Sequence, residues 1–351
     1  MFDSSLQRLS EEFEDAAQHV FSSYCPLYAH LARFVAGQEE LLALAAHSRP
    51  GQAPTLVLFD TVHYLLLREP AHPLARYYIS VTDRPAAPQD AAQVFADFCR
   101  QHRQELLRLL PTRLVQTNEV RRCALLLPAF VLAAQAAGGL PLAVIGMGAS
   151  AGLNLQFDRY GYDYGGGQCC GDLSSPLQLS CSLRGPLRPP LAAAMPKVGS
   201  RVGIDLNPID VRDRDSLLWL LGQIWPNETY RSRADRLRVA AALEDTSRPT
   251  LIAGDVVQVL PDVVADTPTE QVVCLLHSYT VYEMPQDVRR QLDAVIARCG
   301  ATRPVLRVSL EWDSHHVSWL ELASHRPNGQ MDVQRLAQCQ VHGEWMQWLR
   351  P

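Results

Sequence analysis

Residues 142–154 read LAVIGMGASAGLN. An apolar run ends in Gly146, Gly148 and Gly152, with Ser150 between the last two, and then resumes as a helix-compatible segment. A buried parallel strand hands over in this way to a helix whose first turn lets a ligand come close. Two chemistries use the geometry. One is a nucleotide-type cofactor lying over the bare backbone of the loop. The other is a nucleophile elbow, since residues 148–152 spell G-x-S-x-G with Ser150 as the attacking group.

The chain before the loop reads as helix. Leu6, Leu9, Phe13, Ala16, Ala17 and Val20 recur at helical spacing, the pattern resumes at residues 28–36, and further helices are predicted over 55–68, 89–110 and 117–137. From residue 142 onward, strand and helix alternate. Candidate strands cover 142–146, 201–205, 250–253, 271–276 and 305–311, with helices at 213–224, 231–244, 256–264 and 285–299 between them. Residues 317–325 and 332–341, joined through Asn328-Gly329, close the chain as an antiparallel hairpin. The expectation is an α/β chain: an all-helical N-terminal domain or cap over 1–140, then a Rossmann-like parallel sheet with a C-terminal antiparallel hairpin over 141–351. One excursion, at about 157–200, is rich in Gly, Pro, Ser and Tyr and reads as a lid-like insertion. Asp158, Arg159, Tyr160, Tyr162, Asp163 and Tyr164 at its start are candidates to close over a substrate.

Composition removes several classes. A chain of 351 residues that is 47% hydrophobic can bury a full core, and a net charge of -5 lacks the basic excess that nucleic acid demands. Lys197 is the only lysine, so there is no phosphate-binding G-x-x-x-x-G-K-[ST] loop. Nine cysteines without paired spacing, and an acidic amphipathic start, MFDSSLQRLSEEFEDA, suggest reduced thiols in a cytoplasmic protein. Cys169, Cys170 and Cys181 lack zinc-site spacing, so no metal is expected. Residues 123–157 carry no charge, but Pro128, Gly138, Gly139 and Pro141 break them into a buried helix and a buried strand, and no membrane span is expected. The oligomeric state stays open.

A cofactor at the carboxyl ends of parallel strands needs polar groups at successive strand ends. Asp205 ends the second strand, where ribose hydroxyls would be met. Asp255 follows the third, and His277 ends the fourth with Tyr279 and Tyr282 just beyond. His277 is the candidate general base on an acceptor, with Tyr279, Tyr282 or Glu119 orienting it. Both acids also suit helix or turn caps. The hydrolase alternative takes Ser150 with Asp255 and a histidine such as His277, His315, His316 or His342. Against it, an elbow normally comes after several earlier strands, and residues 1–140 offer helices.

The phrases QTNEVRRCALLLPA, GASAGLNLQFDRYGYDYGG, VGIDLNPIDV, LLHS and VHGEWMQW together resemble a bacterial family catalogued as domain of unknown function 2332. The parallel sheet with its closing hairpin resembles the class I S-adenosylmethionine-dependent methyltransferases. The resemblance implies S-adenosylmethionine as cofactor, held by Gly146, Gly148, Ser150, Gly152, Asn154, Asp205 and Asp255, and a small-molecule methyl acceptor as substrate. Where that pattern carries an acid two residues before the loop's first glycine, this chain has Gly146, and Asn154 or a residue of the lid is expected to compensate. A noncatalytic small-ligand-binding protein on the same fold is the other alternative.

Overall fold

The computed structural model describes residues 4–191, 194–243 and 248–350. Its helices are α1 (Ser4–Asp15), α2 (Pro26–Ala36), α3 (Glu39–Ala45), α4 (Pro54–Arg68), α5 (Ala91–Gln101), α6 (Arg103–Leu109), α7 (Cys123–Ala136), α8 (Arg214–Gly222), α9 (Tyr230–Ala242), α10 (Val256–Ala265) and α11 (Gln286–Thr302). Proline opens α2 and α4, where a missing N–H costs nothing. The predicted helix end at Glu244 lies outside the described residues. Strands are β1 (Leu142–Met147), β2 (Gly161–Asp163), β3 (Cys169–Gly171), β4 (Gln178–Ser180), β5 (Ser182–Arg184), β6 (Val198–Asp205), β7 (Thr250–Ala253), β8 (Val272–Ser278), β9 (Val305–Trp312), β10 (Ser318–His325), β11 (Met331–Cys339) and β12 (Trp345–Trp348).

The chain divides into two compact units, Met1–Thr117 with Val211–Arg238, and Asn118–Asp210 with Val239–Pro351. This differs from a cut near residue 140 in two ways, each with a packing reason. Helix α7 belongs with the sheet: Cys123 through Val131 are all buried, and a helix apolar on every side needs a cover on every side. Helix α8, which the alternating pattern assigns to a sheet crossover, packs in the first unit against α4. There the Gly222 carbonyl accepts from His63 Nδ1 at 2.8 Å and Trp219 Nε1 donates to the Leu114 carbonyl at 3.0 Å. Gly222 lies against Tyr64, where an added Cβ would sit 3.0 Å from the Tyr64 Cβ and 3.1 Å from its backbone. This helical core combines Leu, Ala and Val side chains with an aromatic cluster, in which Tyr28 stacks on Phe59 at 4.7 Å between centroids.

The second unit carries a nine-stranded sheet in the order β5-β12-β11-β10-β9-β8-β1-β6-β7. All five strands read from the sequence are present, and they form its parallel block, β9-β8-β1-β6-β7. Numbered along the chain within that block, β1 is central, β6 and β7 lie to one side and β8 and β9 to the other. That is the order of a doubly wound sheet, with its switch point between β1 and β8. The predicted hairpin is β10 and β11, turning where Gly329 takes φ +77°. Beyond it the antiparallel run continues through β12, which pairs in parallel with β5.

The excursion after β1 is ordered at its start. β2, β3 and β4 form a small separate sheet, and Tyr160, Tyr162 and Tyr164 are buried. Their hydroxyls donate to the carbonyls of Leu153, Phe157 and Ala124, so they bind the excursion to the second unit's core. Among the described residues no helix is long and apolar enough to cross a membrane.

His63 lends the helical unit a pH dependence. Both ring nitrogens are engaged, Nδ1 with Gly222 and Nε2 with the Ser80 hydroxyl at 2.7 Å, and burial lowers its pKa from 6.5 to about 4. An imidazole held neutral by the fold contributes fully above its unfolded value, and the contribution is lost as pH falls from about 6.5 toward about 4. The loss is at most about 3 kcal/mol, since each tenfold change in proton affinity is worth ~1.4 kcal/mol. Melting temperatures measured across that window should drop more steeply toward acid in wild type than in His63→Gln; parallel curves would contradict the assignment.

Candidate functional site

The candidate site lies at the carboxyl ends of the parallel strands, where the loops after β1, β6, β7 and β8 emerge. Its floor is set by two glycines. Gly146 on β1 and Gly203 on β6 are register partners. A Cβ on Gly146 would lie 3.0 Å from a Leu155 methyl, and one on Gly203 would lie 2.6 Å from Leu251 and 2.7 Å from Ala149. The returning segment Leu153–Arg159, a 3-10 helix, therefore rests directly on the sheet. The acid expected at Gly146 in a methyltransferase pattern has its place taken by Leu155.

The loop itself is held by backbone hydrogen bonds. Gly148, Ser150 and Gly152 adopt left-handed φ of +68°, +52° and +71°. Ser150 N donates to Asp205 Oδ2 at 2.7 Å, and Asn207 N donates to Asp205 Oδ1 at 2.8 Å. Asp205 thus stands where the sequence predicts an acid, with both oxygens engaged by main-chain donors. Gly148 is approached by protein: a Cβ there would fall 2.3 Å from Thr280 Cγ2, and at Gly152 the near neighbours are Pro249 and Leu251. Asn154 turns to Cys123, whose thiol lies 3.6 Å from its Oδ1. Asp255 caps α10, accepting from Val257 N at 2.8 Å.

His277 is not available as the general base that its position suggests. It is 2% exposed, its Nδ1 donates to Glu311 Oε1 at 2.6 Å, and its Nε2 accepts from Arg307 Nε at 2.8 Å. These partners fix a neutral imidazole with the proton on Nδ1, and burial, helped by Arg307, lowers its pKa. The same commitment leaves no nitrogen of His277 for Ser150, so a hydrolase triad through it is excluded. Arg307 continues the chain to Asp293 at 2.9 Å.

Glu311 is absent from the candidates that the sequence singles out. Its carboxylate accepts from Thr280 N and Val281 N through Oε1, at 3.0 and 3.1 Å, and from Tyr282 N through Oε2 at 3.0 Å. Burial opposes its charge, but the His277 and backbone donors outweigh it and lower the pKa. A signal for it exists in VLRVSLE, where Arg307, Ser309 and Glu311 alternate with apolar residues and so share the sheet face of His277. The loop they hold carries Tyr279, with φ +54°, whose hydroxyl donates to Ser318 Oγ at 2.8 Å and whose pKa burial pushes up to about 12. Tyr282 is half-buried against Trp312, with ring centroids 5.2 Å apart.

Glu119 and Arg122 meet the same edge. Glu119 is 3% exposed and accepts from Arg121 N at 3.2 Å, capping the turn Val120–Arg122. Arg122 lies over the Tyr279 ring at 4.3 Å and donates to Ser278 Oγ at 3.2 Å and to the Val341 carbonyl at 3.0 Å. The structure therefore gathers Gly148, Ser150, Asp205, Tyr279 and Arg122 around the switch point. It assigns Asp255, Asn154 and His277 to capping and packing. A groove of about 620 Å3 lined by Leu140, Val264, Val272, Cys299 and Pro304 lies at the opposite, amino ends of the strands.

Residues 10–348 match the model of a bacterial family described as "uncharacterized protein conserved in bacteria", DUF2332. The chain belongs to this family. No curated protein and no solved structure matches this DUF2332 chain. Among its described residues no group of three or more His, Cys, Asp or Glu is arranged to hold a metal ion.

Two substitutions probe the geometry. Glu311→Gln removes the charge that holds three backbone donors, so amide exchange at residues 280–282 should accelerate by about ten-fold or more while the core strands keep their protection. Unchanged exchange in that loop would contradict the role. Gly146→Asp drives a side chain into Leu155 and should destabilise the fold by about 1–3 kcal/mol in denaturant titration.

Proposed function

We propose that this chain binds S-adenosylmethionine across the carboxyl edge of its sheet and transfers the methyl group to a small-molecule acceptor. The observation that carries the reading is the parallel block itself. Its switch point lies beside a strand ending in a left-handed glycine loop, and the adjacent strand ends in an acid that grips that loop. Open α/β sheets bind nucleotide-type ligands at this place.

The residues present fit such a group in part. A carboxylate has about four lone-pair positions, so Asp205 can keep its backbone donors and still accept from ribose hydroxyls. Leu206, 75% exposed next to it, offers an apolar face to a purine. When bound, the cofactor supplies an electrophilic methyl group on a sulfonium. The protein's contribution is orientation and exclusion of water. Tyr279, Tyr282 and Trp312 wall the acceptor side, Glu311 fixes the loop that carries the two tyrosines, and His277 acts through Glu311 as a positioning residue. With His277 committed, the acceptor's proton passes to water.

A ligand-binding protein without catalysis is the second reading. It is favoured by the occupation of two expected cofactor contacts by protein, Leu155 over Gly146 and Thr280 against Gly148. Calorimetric titration with S-adenosylmethionine and S-adenosylhomocysteine tests the first. Wild type should bind both, with a rise in melting temperature, and Asp205→Ala should weaken binding by about ten-fold or more, equivalent to about 1.4 kcal/mol. If neither ligand binds wild type at high micromolar concentration, the methyltransferase reading fails.

A further inference from the structure

The helical unit holds a polar cluster that the sheet's chemistry does not use. Asp60 on α4 is 1% exposed, and among the described residues neither of its carboxyl oxygens has a hydrogen-bond partner. Tyr78 is fully buried, and its hydroxyl is likewise unpartnered. The Tyr28 hydroxyl donates to the Phe59 carbonyl at 3.5 Å. The rings converge: Tyr28 lies 6.4 Å from Tyr78 and 6.5 Å from Trp225, and His63 lies 5.2 Å from Tyr78 and 5.5 Å from Tyr230. The Asp60 carboxyl is close enough to Tyr28 and Tyr78 to raise both hydroxyls, though burial is the larger cause for each.

Buried polar groups are almost always hydrogen-bonded, and an unpartnered one costs free energy. Here several oxygens lie among the same aromatic rings. Burial pushes each titratable group around them, Cys25 just before α2, His63 on α4, Cys99 on α5 and Tyr230 on α9, toward its neutral form, and it raises the Asp60 carboxyl, which among the described residues has no basic side chain hydrogen-bonded to it. A carboxyl without a cation, flanked by hydroxyl oxygens and ring faces, matches one ligand chemistry. A primary ammonium brings three N–H donors for those oxygens and a charge that ring faces attract.

We propose that Asp60, with the hydroxyls of Tyr78 and Tyr28, forms a binding site inside the helical unit for a small primary ammonium ion. Uptake exchanges one cation for one proton: the ammonium enters charged, the Asp60 carboxyl gives up its proton to solvent, and the resulting pair is neutral. The site stands apart from the methyl-transfer reading and does not depend on it.

Titration calorimetry with methylammonium chloride, at constant ionic strength in two buffers of different ionisation enthalpy near neutral pH, tests it. Wild type should show saturable binding with release of about one proton per site. Asp60→Asn, close to isosteric, should lose the binding, and Tyr78→Phe should weaken it several-fold. Should Asp60→Asn fail to fold, the proton count in wild type decides alone. No saturable heat up to about 100 mM, binding without proton release, undiminished binding by folded Asp60→Asn, or equal binding of potassium would each overturn the proposal.

Discussion

The candidate site depends on the contact between Leu155 and the paired glycines Gly146 and Gly203. Two adjacent strands without side chains at one register let the chain leaving β1 turn back and lie directly on the sheet. Only from that height does the loop bring Ser150 N onto the Asp205 carboxylate. A side chain at either glycine would lift the segment and separate the two, so the constraint is steric before it is chemical.

Two carboxylates then repeat one device. Asp205 holds the loop after β1 and Glu311 holds the loop after β8, each through main-chain N–H groups. Each loop carries a non-glycine residue in left-handed conformation, Ser150 and Tyr279. Such backbone costs on the order of 1–3 kcal/mol and persists where surrounding bonds over-determine it. Charge-assisted bonds to backbone donors provide that hold, and the strained residues flank the switch point between β1 and β8.

Buried polar groups in this chain differ in how completely they are partnered. In the sheet unit, His277 sits in a continuous run from Asp293 through Arg307 to Glu311, with each ring nitrogen engaged. In the helical unit, His63 is equally committed, while Asp60 and Tyr78 are not. A completed network rigidifies, whereas an incomplete one in a low-dielectric interior favours a partner that completes it. That contrast separates a positioning role for the first histidine from a ligand-binding role for the buried acid.

Local pattern suffices for the five parallel strands, the closing hairpin at Asn328-Gly329 and the acid at the end of β6, because period, turn chemistry and strand ends are properties of short segments. Family membership is equally legible, through phrases spread along the whole chain. Which unit each helix joins is a matter of long-range packing: α7 goes to the sheet and α8 to the helices, since the choice rests on Gly222 meeting Tyr64 and His63, far away in the chain. The same holds for what the polar residues do. His277 looks like a base because a strand end is where bases stand, yet Arg307 and Glu311 on the neighbouring strand consume both its nitrogens. Gly146 looks like a missing acid, yet Leu155 fills its place. Residue type and spacing mark where chemistry can occur, but partners brought together from distant segments fix the protonation state, the free lone pairs and the space that remains.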